Sequence, residues 1–336
     1  MHEAPIETAA TAPPLRPAAR IAELAPGMHA DGVFVVKKLV RRSQPNGSPF
    51  TLFQFADRSG HINGVLWQEP GAGVEVGTGD LAHVQGEVQL YQNARQIRVR
   101  AIRRADPTGL DARDFLPRSP CDGEALWSDV RRRIAAVGNP YLHRLYSDLF
   151  DDADFAARYR AAPAGKGWHH ASVGGLLEHV CCMLELGDVV ARQHPGLDRD
   201  LLLGGILLHD VGKIDELVLR GHIEYTDAGR LVGHLVQGCL RVGRAMDAIA
   251  DFPDELRMRL LHVLVSHHGA VERGSPKAPM TLEAVVVHLL DHMDSQVHGI
   301  EQVLSRGGGP DGWTETVKLL ERALYVGPPA APPPAS

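Results

Sequence analysis

The sequence predicts an α+β chain of two domains, a small N-terminal β-barrel followed by an all-α domain. Three observations lead there. At 336 residues the chain is long enough to bury two separate cores. Residues 32–104 alternate apolar and polar side chains with period two, as half-buried strands do. From about residue 124 the apolar positions recur every three to four residues, the period of helices.

Residues 1–19, rich in alanine and proline, read as a disordered tail without the apolar stretch of a secretory signal. The barrel is expected over residues 20–106. Its strands are GVFVVKKLV, PFTLFQFAD, the run after the ADRSG turn, DLAHVQGEVQLY, and RQIRVRAIRR beyond the turn at Gln92-Asn93. Ile97 and Val99 alternate with Arg98 and Arg100, which makes one face of the last strand buried and the other basic. Five strands in about 75 residues, with glycines where they would bend, resemble an OB-fold of the kind found in nucleic-acid-binding modules. That resemblance assigns Lys37, Lys38, Arg41, Arg42, Arg98, Arg100, Arg103 and Arg104 to a phosphate-tracking surface. Phe34, His61 and Tyr91 are its candidates for base stacking. Residues 107–123, with Pro107, Pro117 and Pro120, read as a linker. The helical domain then runs over 124–325, with a break at Asn139-Pro140, and residues 326–336 form a Pro/Ala tail.

Net charge is −6, which by itself gives nucleic-acid binding no support. Its distribution is uneven: residues 20–118 carry a net +3 and residues 119–336 a net −8. The first part suits a polyanion and the second a cation. Four cysteines (Cys121, Cys181, Cys182 and Cys239) form no CxxC pair, so a reducing, cytoplasmic location is expected. No stretch is apolar for the length of a membrane span, so no membrane partner is expected.

The chemistry-bearing signal is the set of 18 histidines. Five apolar segments of the helical domain each carry metal-type ligands: GGLLEHV (His179), LLHDVGK (His209, Asp210), GHLVQG (His234), LVSHHG (His267, His268) and VVVHLLDHMD (Asp291). Imidazole and carboxylate are costly to bury unless paired or metal-bound. Leu176, His179, Val180 and Met183 share one helical face, and Leu231, His234, Leu235 and Gly238 are expected to share another. Val287, Leu290, Asp291 and Asp294 form a third stripe, which drives a carboxylate into a core. A lone buried histidine is more often a satisfied core residue, which is the reading for His143, His262 and His298. Glu178, Asp188 and the arginines at 131–133 read as surface charge.

The order His179, His209-Asp210, Asp291, with the HDVGK stretch, resembles the HD-domain metal-dependent phosphohydrolases. His234 and His267-His268 match the additions of HD proteins that hold two metals. A barrel followed by HHASVGGLLEH and an HD domain is similar to the YhaM-type 3′–5′ exoribonucleases, while the Gly-Tyr-Pro motif of the cyclic-dinucleotide phosphodiesterases is absent. The resemblance implies one ion on His179, His209, Asp210 and Asp291, and a second on Asp210, His234, His267 and His268. Such a mixed shell suits Mn first, and Fe, Co or Zn better than Mg. Lys213 would neutralise a phosphate oxygen, Trp168, His169 and His170 would line the substrate path, and His288, His292 and Asp294 would orient ligands. The expected activity is hydrolysis of single-stranded RNA, and DNA is left open, from the 3′ end to nucleoside monophosphates. A homo-oligomer is also left open. Two rivals stand beside it: hydrolysis of a nucleotide or small phosphate ester, and a nucleic-acid adaptor without turnover.

Overall fold

The computed structural model describes residues 20–67, 76–92, 94–106, 115–219, 222–305, 307–309 and 311–328. The tail at 1–19, Asn93, linker residues 107–114 and tail residues 329–336 lie outside them. The described residues form two compact units, one reaching to Pro117 and the other taking Arg118–Leu219 and the chain from Ile223 on. No helix among the described residues is long and apolar enough to cross a membrane.

The first unit is a closed five-stranded barrel. Its strands are β1 (His29–Ser43), β2 (Pro49–Asp57), β3 (Gly60–Leu66), β4 (Leu81–Tyr91) and β5 (Ala94–Arg104). Their order around the barrel is β1-β2-β3-β5-β4, with β3 and β5 parallel and the other pairs antiparallel. This is the five-stranded Greek-key closure of an OB-fold. Inward residues of all five strands build the core, among them Val36, Phe53, Phe55, Ile62, Val84, Ile97 and Val99. Glycine at 64 makes room for that core: a Cβ there would lie 2.4 Å from the Phe55 ring. Phe34 belongs to the same core, 1% exposed and 6.2 Å from Phe55 between ring centroids. It is therefore packing, and the expectation that it stacks on bases is corrected.

The second unit contains α1 (Gly123–Ala135), α2 (Pro140–Asp151), α3 (Ala153–Ala161), α4 (Gly175–Gln193), α5 (Arg199–Leu208), α6 (Lys213–Glu216), α7 (Asp227–Leu231), α8 (His234–Asp247), α9 (Asp254–Ser266) and α10 (Leu282–Leu304). Local chemistry sets the starts of these helices. Asp122 and Asn139 each accept two backbone N–H groups at the N-termini of α1 and α2, and Pro140 supplies the fixed φ of a first turn. A single core joins the helices, with Tyr146, Leu176, Val180, Met183, Leu207, Val263 and Val287 fully buried. Between α6 and α7 lies a short hairpin, β6 (Leu217–Leu219) with β7 (Ile223–Tyr225). Strands of three residues are too short for period-two alternation to register in the sequence.

One expected stripe is not continuous. Leu231 ends α7 and is 86% exposed, whereas His234 begins α8. Gly233, at φ 77°, breaks the chain between them. Helical spacing counted across a residue in that conformation does not describe one face.

Candidate metal centre

The ligands named from the sequence come together. His179 projects from α4, where Leu176, Val180 and Met183 are buried beside it. His209 and Asp210 follow directly on α5, and Lys213 opens α6. His234 is the first residue of α8, His267 and His268 follow α9, and Asp291 lies in α10. The C-termini of α5 and α9 therefore both deliver ligands, and a helix C-terminus favours a cation.

Five imidazoles share one arrangement. His179 Nδ1 donates to Asp294 Oδ2 at 2.6 Å and His234 Nδ1 to Glu216 Oε1 at 3.0 Å. His209 Nδ1 donates to the Ile206 carbonyl at 2.9 Å and His267 Nδ1 to the Leu264 carbonyl at 2.9 Å. His268 Nδ1 donates to the Arg273 carbonyl at 3.2 Å. Each bond fixes the tautomer and leaves Nε2 as the free lone pair. The Nε2 atoms converge: His179 and His209 are 3.2 Å apart, and His234 and His268 3.3 Å apart.

Asp210 lies between the two groups. Its Oδ2 is 3.4 Å from His209 Nε2, and its Oδ1 is 3.4 Å from His234 Nε2 and 3.5 Å from His267 Nε2. Asp291 Oδ1 is 3.4 Å from His179 Nε2. Buried Asp210 Oδ1 and His267 Nε2 have no hydrogen-bond partner. A buried acceptor and a buried lone pair facing one another ask for a cation between them. The donor set thus fits divalent metal: ligand atoms of His179, His209 and Asp210 lie close enough together to share an ion, and so do those of His234, His267 and His268.

Electrostatics agree with that fit. Burial holds His267 neutral by lowering its pKa to about 4. Burial also disfavours charge on His179, but its hydrogen bonds to Asp291 and Asp294 prevail and raise it to about 9, so a proton stands where a cation would. Asp210 is buried, yet Lys213 and His209 hold its carboxyl far below the usual range.

Adjacent histidines on a continuous helix point about 100° apart. Here α9 stops at Ser266, and Gly269 at φ 85° turns the chain away, so both His267 and His268 reach inward. His288 packs against that glycine and donates Nδ1–H to the His267 carbonyl at 2.7 Å, an orienting contact of the expected kind. Asp294 orients His179 in the same sense, whereas His292 stacks on His288 at 6.1 Å between ring centroids and lies 3.4 Å from Arg273.

Other expected site residues stand differently. Lys213 reaches the centre, but its Nζ lies 2.5 Å from Asp210 Oδ2, so its charge is directed at a ligand. His170 does not line an open path. It is 2% exposed, with φ 43°, and its Nε2 bonds Asp294 Oδ2 at 3.0 Å. Its Nδ1 lies 3.3 Å from Glu178, and its ring stacks on His298 at 3.7 Å. The expectation that His170 binds substrate is corrected: it braces Asp294 and through it His179. Glu178, read as surface charge, is 7% exposed and part of this brace. Glu178 is buried because the N-terminal half of α4 is enclosed on nearly every side. His169 presents two buried ring nitrogens with no partner beside His179, and burial lowers its pKa to about 3. Lys37, Lys38, Arg98 and Arg100 are exposed on the barrel, and Arg100 pairs with Glu87 at 3.2 Å.

Comparison with known proteins adds four findings. The HD domain family matches residues 176–296. The 3′–5′ exoribonuclease YhaM of Bacillus velezensis is 33% identical over 304 residues, covering 90% of this chain and 96% of the relative. The 3′–5′ exoribonuclease YhaM of Listeria welshimeri is 31% identical over 318 residues, covering 92% and 98%. Among solved structures, the second OB-fold domain of replication protein A from Methanococcus maripaludis is 29% identical over 26% of this chain and 94% of that one. Its TM-score of 0.22 carries no weight for the barrel, whose strand order stands on its own.

Proposed function

The chain belongs to the YhaM family of 3′–5′ exoribonucleases, and from that premise we propose how its own residues carry the reaction. The protein is a metal-dependent 3′–5′ exoribonuclease of single-stranded RNA, and the match through 90% of the chain leaves neither rival reading favoured. In each turnover a water oxygen adds to the terminal phosphorus and the bond from phosphorus to the upstream 3′ oxygen breaks. That oxygen leaves with a proton, and a nucleoside monophosphate is released.

Two divalent ions, Mn first and Fe, Co, Zn or Mg after it, would supply the Lewis acidity that activates water and offsets phosphate charge. His179, His209, Asp210 and Asp291 would hold one, and Asp210, His234, His267 and His268 the other. The supporting observation is the common anchoring of five imidazoles through Nδ1, which leaves Nε2 of His179, His209, His234 and His267 within 3.5 Å of Asp210 or Asp291 and Nε2 of His268 beside that of His234. Lys213 balances Asp210 and stands ready to exchange that contact for a phosphate oxygen. Asp294, braced by His170 and Glu178, holds His179 in place. His169, whose buried ring nitrogens have no partner, stands beside His179 at the centre, where it would meet the substrate phosphate. In this reading residues 20–106 grip the strand through Lys37, Lys38, Arg98 and Arg100, residues 124–325 carry the chemistry, and the enzyme works in the cytoplasm.

The test is product sizing on RNA labelled at the 3′ or the 5′ end, with Mn²⁺ or with EDTA, alongside metal analysis. The reading requires release of labelled mononucleotide from the 3′ end at once, ladder-wise shortening of the 5′-labelled strand, and neither in EDTA. Intact RNA after prolonged incubation with each candidate metal would remove it.

A further inference from the structure

The barrel carries an aromatic pair, one ring exposed and the other half-buried, that the metal centre does not use. Phe50, in β2, and Trp67, directly after β3, stack with ring centroids 5.3 Å apart and planes 27° apart. Trp67 keeps 46% of its surface exposed. Strand register shows what flanks the pair. Arg42 on β1 is opposite Phe50, and Thr51 is opposite Leu66, so Phe50 and Trp67 are successive neighbours across β2 and β3. Thr51 and Leu66 are buried, so alternation places Phe50 and Trp67 on the outer face. On the other side, Val65 is the parallel partner of Arg98, and Arg100 follows two residues on. One step along the same outer face Val40, Leu52 and Val65 lie opposite one another, and a second step on Lys38 is opposite Gln54 and Gln54 opposite Asn63. Lys38, Arg42 and Arg98 make no ion pair among the described residues.

We propose that the Phe50–Trp67 pair is the base-stacking platform of the barrel for single-stranded RNA, with Lys38, Arg42 and Arg98 holding phosphates on either side. Phe50 backs one face of the Trp67 ring, and Trp67 keeps nearly half of its surface exposed for a base. Every base offers a π-face, so such a platform tolerates any sequence, as a degradative exonuclease requires. The surrounding pattern suits this occupant. Arg42 lies beside Phe50, Arg98 beside Val65 and Lys38 beside Gln54, cations that make no ion pair among the described residues and that suit phosphates flanking a stacked base. The inference rests on the exoribonuclease reading and replaces buried Phe34 as the stacking ring.

The experiment uses the full-length protein in EDTA, titrated with a 5′-fluorescein oligoadenylate of about 12 nucleotides, within the range of one OB-fold site. Trp67→Ala is expected to weaken Kd about tenfold or more, and Trp67→Phe by no more than about threefold. Arg42→Ala and Arg98→Ala each lower the slope of log Kd against log salt by about 0.7. Of the four tryptophans, Trp67 is expected to carry the RNA-dependent quenching, so Trp67→Phe should abolish it. Unchanged affinity in both Trp67→Ala and Phe50→Leu, or full quenching retained in Trp67→Phe, overturns the platform. Should Trp67→Ala fold poorly, the quenching of Trp67→Phe decides alone. Failure of the wild-type protein with Mn²⁺ to shorten the same oligomer would instead remove the exoribonuclease reading, so the two failures are distinct.

Discussion

Gly212, in the HDVGK stretch, is the point at which a single methyl group should reach the chemistry. Its backbone is ordinary helix, φ −67° and ψ −18°, so alanine is tolerated there on conformational grounds. Sterically it is not: a Cβ would lie 2.0 Å from the His234 carbonyl oxygen and 2.8 Å from the Gly238 nitrogen. Ordinary contact begins near 3.4 Å, so the start of α8 must retreat by about 1.4 Å. His234 rides on that turn, with Nε2 now 3.4 Å from Asp210 Oδ1. Misplacing a catalytic group by about 1 Å costs roughly 10²-fold in rate, or about 2.7 kcal/mol. The expected result for Gly212→Ala is a kcat lowered about 100-fold with the second ion bound more weakly, and a stability loss of roughly 1–3 kcal/mol from overpacking. Gly243→Ala, on the same helix with open space around its Cβ, is the control and should be stabilising by about 0.5–1 kcal/mol. Kinetics on 3′-labelled RNA, metal analysis and thermal denaturation read all three quantities. A Gly212→Ala enzyme within about threefold of wild type, with both ions in place, would refute the steric reasoning.

Asp210→Ala should abolish turnover while leaving most strand binding intact, measured by anisotropy with the same labelled RNA; loss of both in parallel would speak for collapse of the fold. Asp294→Asn takes the carboxylate from His179 and His170, and metal affinity should fall about 10–100-fold in a competition titration against a chelating dye. In EDTA, the His179 contribution to stability should be complete below pH ~6.5, its unfolded value, and lost as pH rises through about 9. The Asp294 carboxyl is buried, but bonds to His170 and His179 hold it well below its usual range. Its contribution is complete above pH ~3.9 and lost as pH falls through the lower folded value. Denaturation of the metal-free protein from pH 3 to 9 should therefore peak between these limits, and Asp294→Asn should flatten both limbs; parallel profiles would count against the pairing. Metal at 100 times its Kd should add about 2.7 kcal/mol to stability, with EDTA reversing it.

The ligand set was legible because buried histidine and aspartate on apolar helical faces are anomalous, and His179, His209, Asp210 and Asp291 stand out on that ground alone. The barrel was legible for a similar reason, since Ile97 and Val99 alternate cleanly with arginines in a strand that is buried on one side. What escaped depends on contacts distant in sequence or on single backbone angles. His170 meets Asp294 across 124 positions, and its φ of 43° gives no sign in composition. Glu178 lies one residue from a ligand, where spacing argues outward, and only the surrounding helices bury it. Gly233 ended a helix inside an apparently periodic run, while the turn at Gly269 let two adjacent histidines act together. Among aromatic residues, alternation could not tell that Phe34 faces inward and Trp67 outward, because Phe34, Val35 and Val36 are buried in succession and Trp67 lies just beyond the end of β3.

The rings of His209 and His267 are each tethered to a carbonyl three residues earlier in their own helix, at Ile206 and Leu264. Those carbonyls belong to the last turn, where no further amide claims them. Each of these histidines consequently brings its own support, and a graft of that turn would carry a correctly aimed imidazole into another helical scaffold. His179 and His234 are of the opposite kind, since their aim is borrowed from Asp294 on α10 and Glu216 on α6. Drift elsewhere in the chain can thus retune the centre at His179 and His234 while His209 and His267 stay fixed.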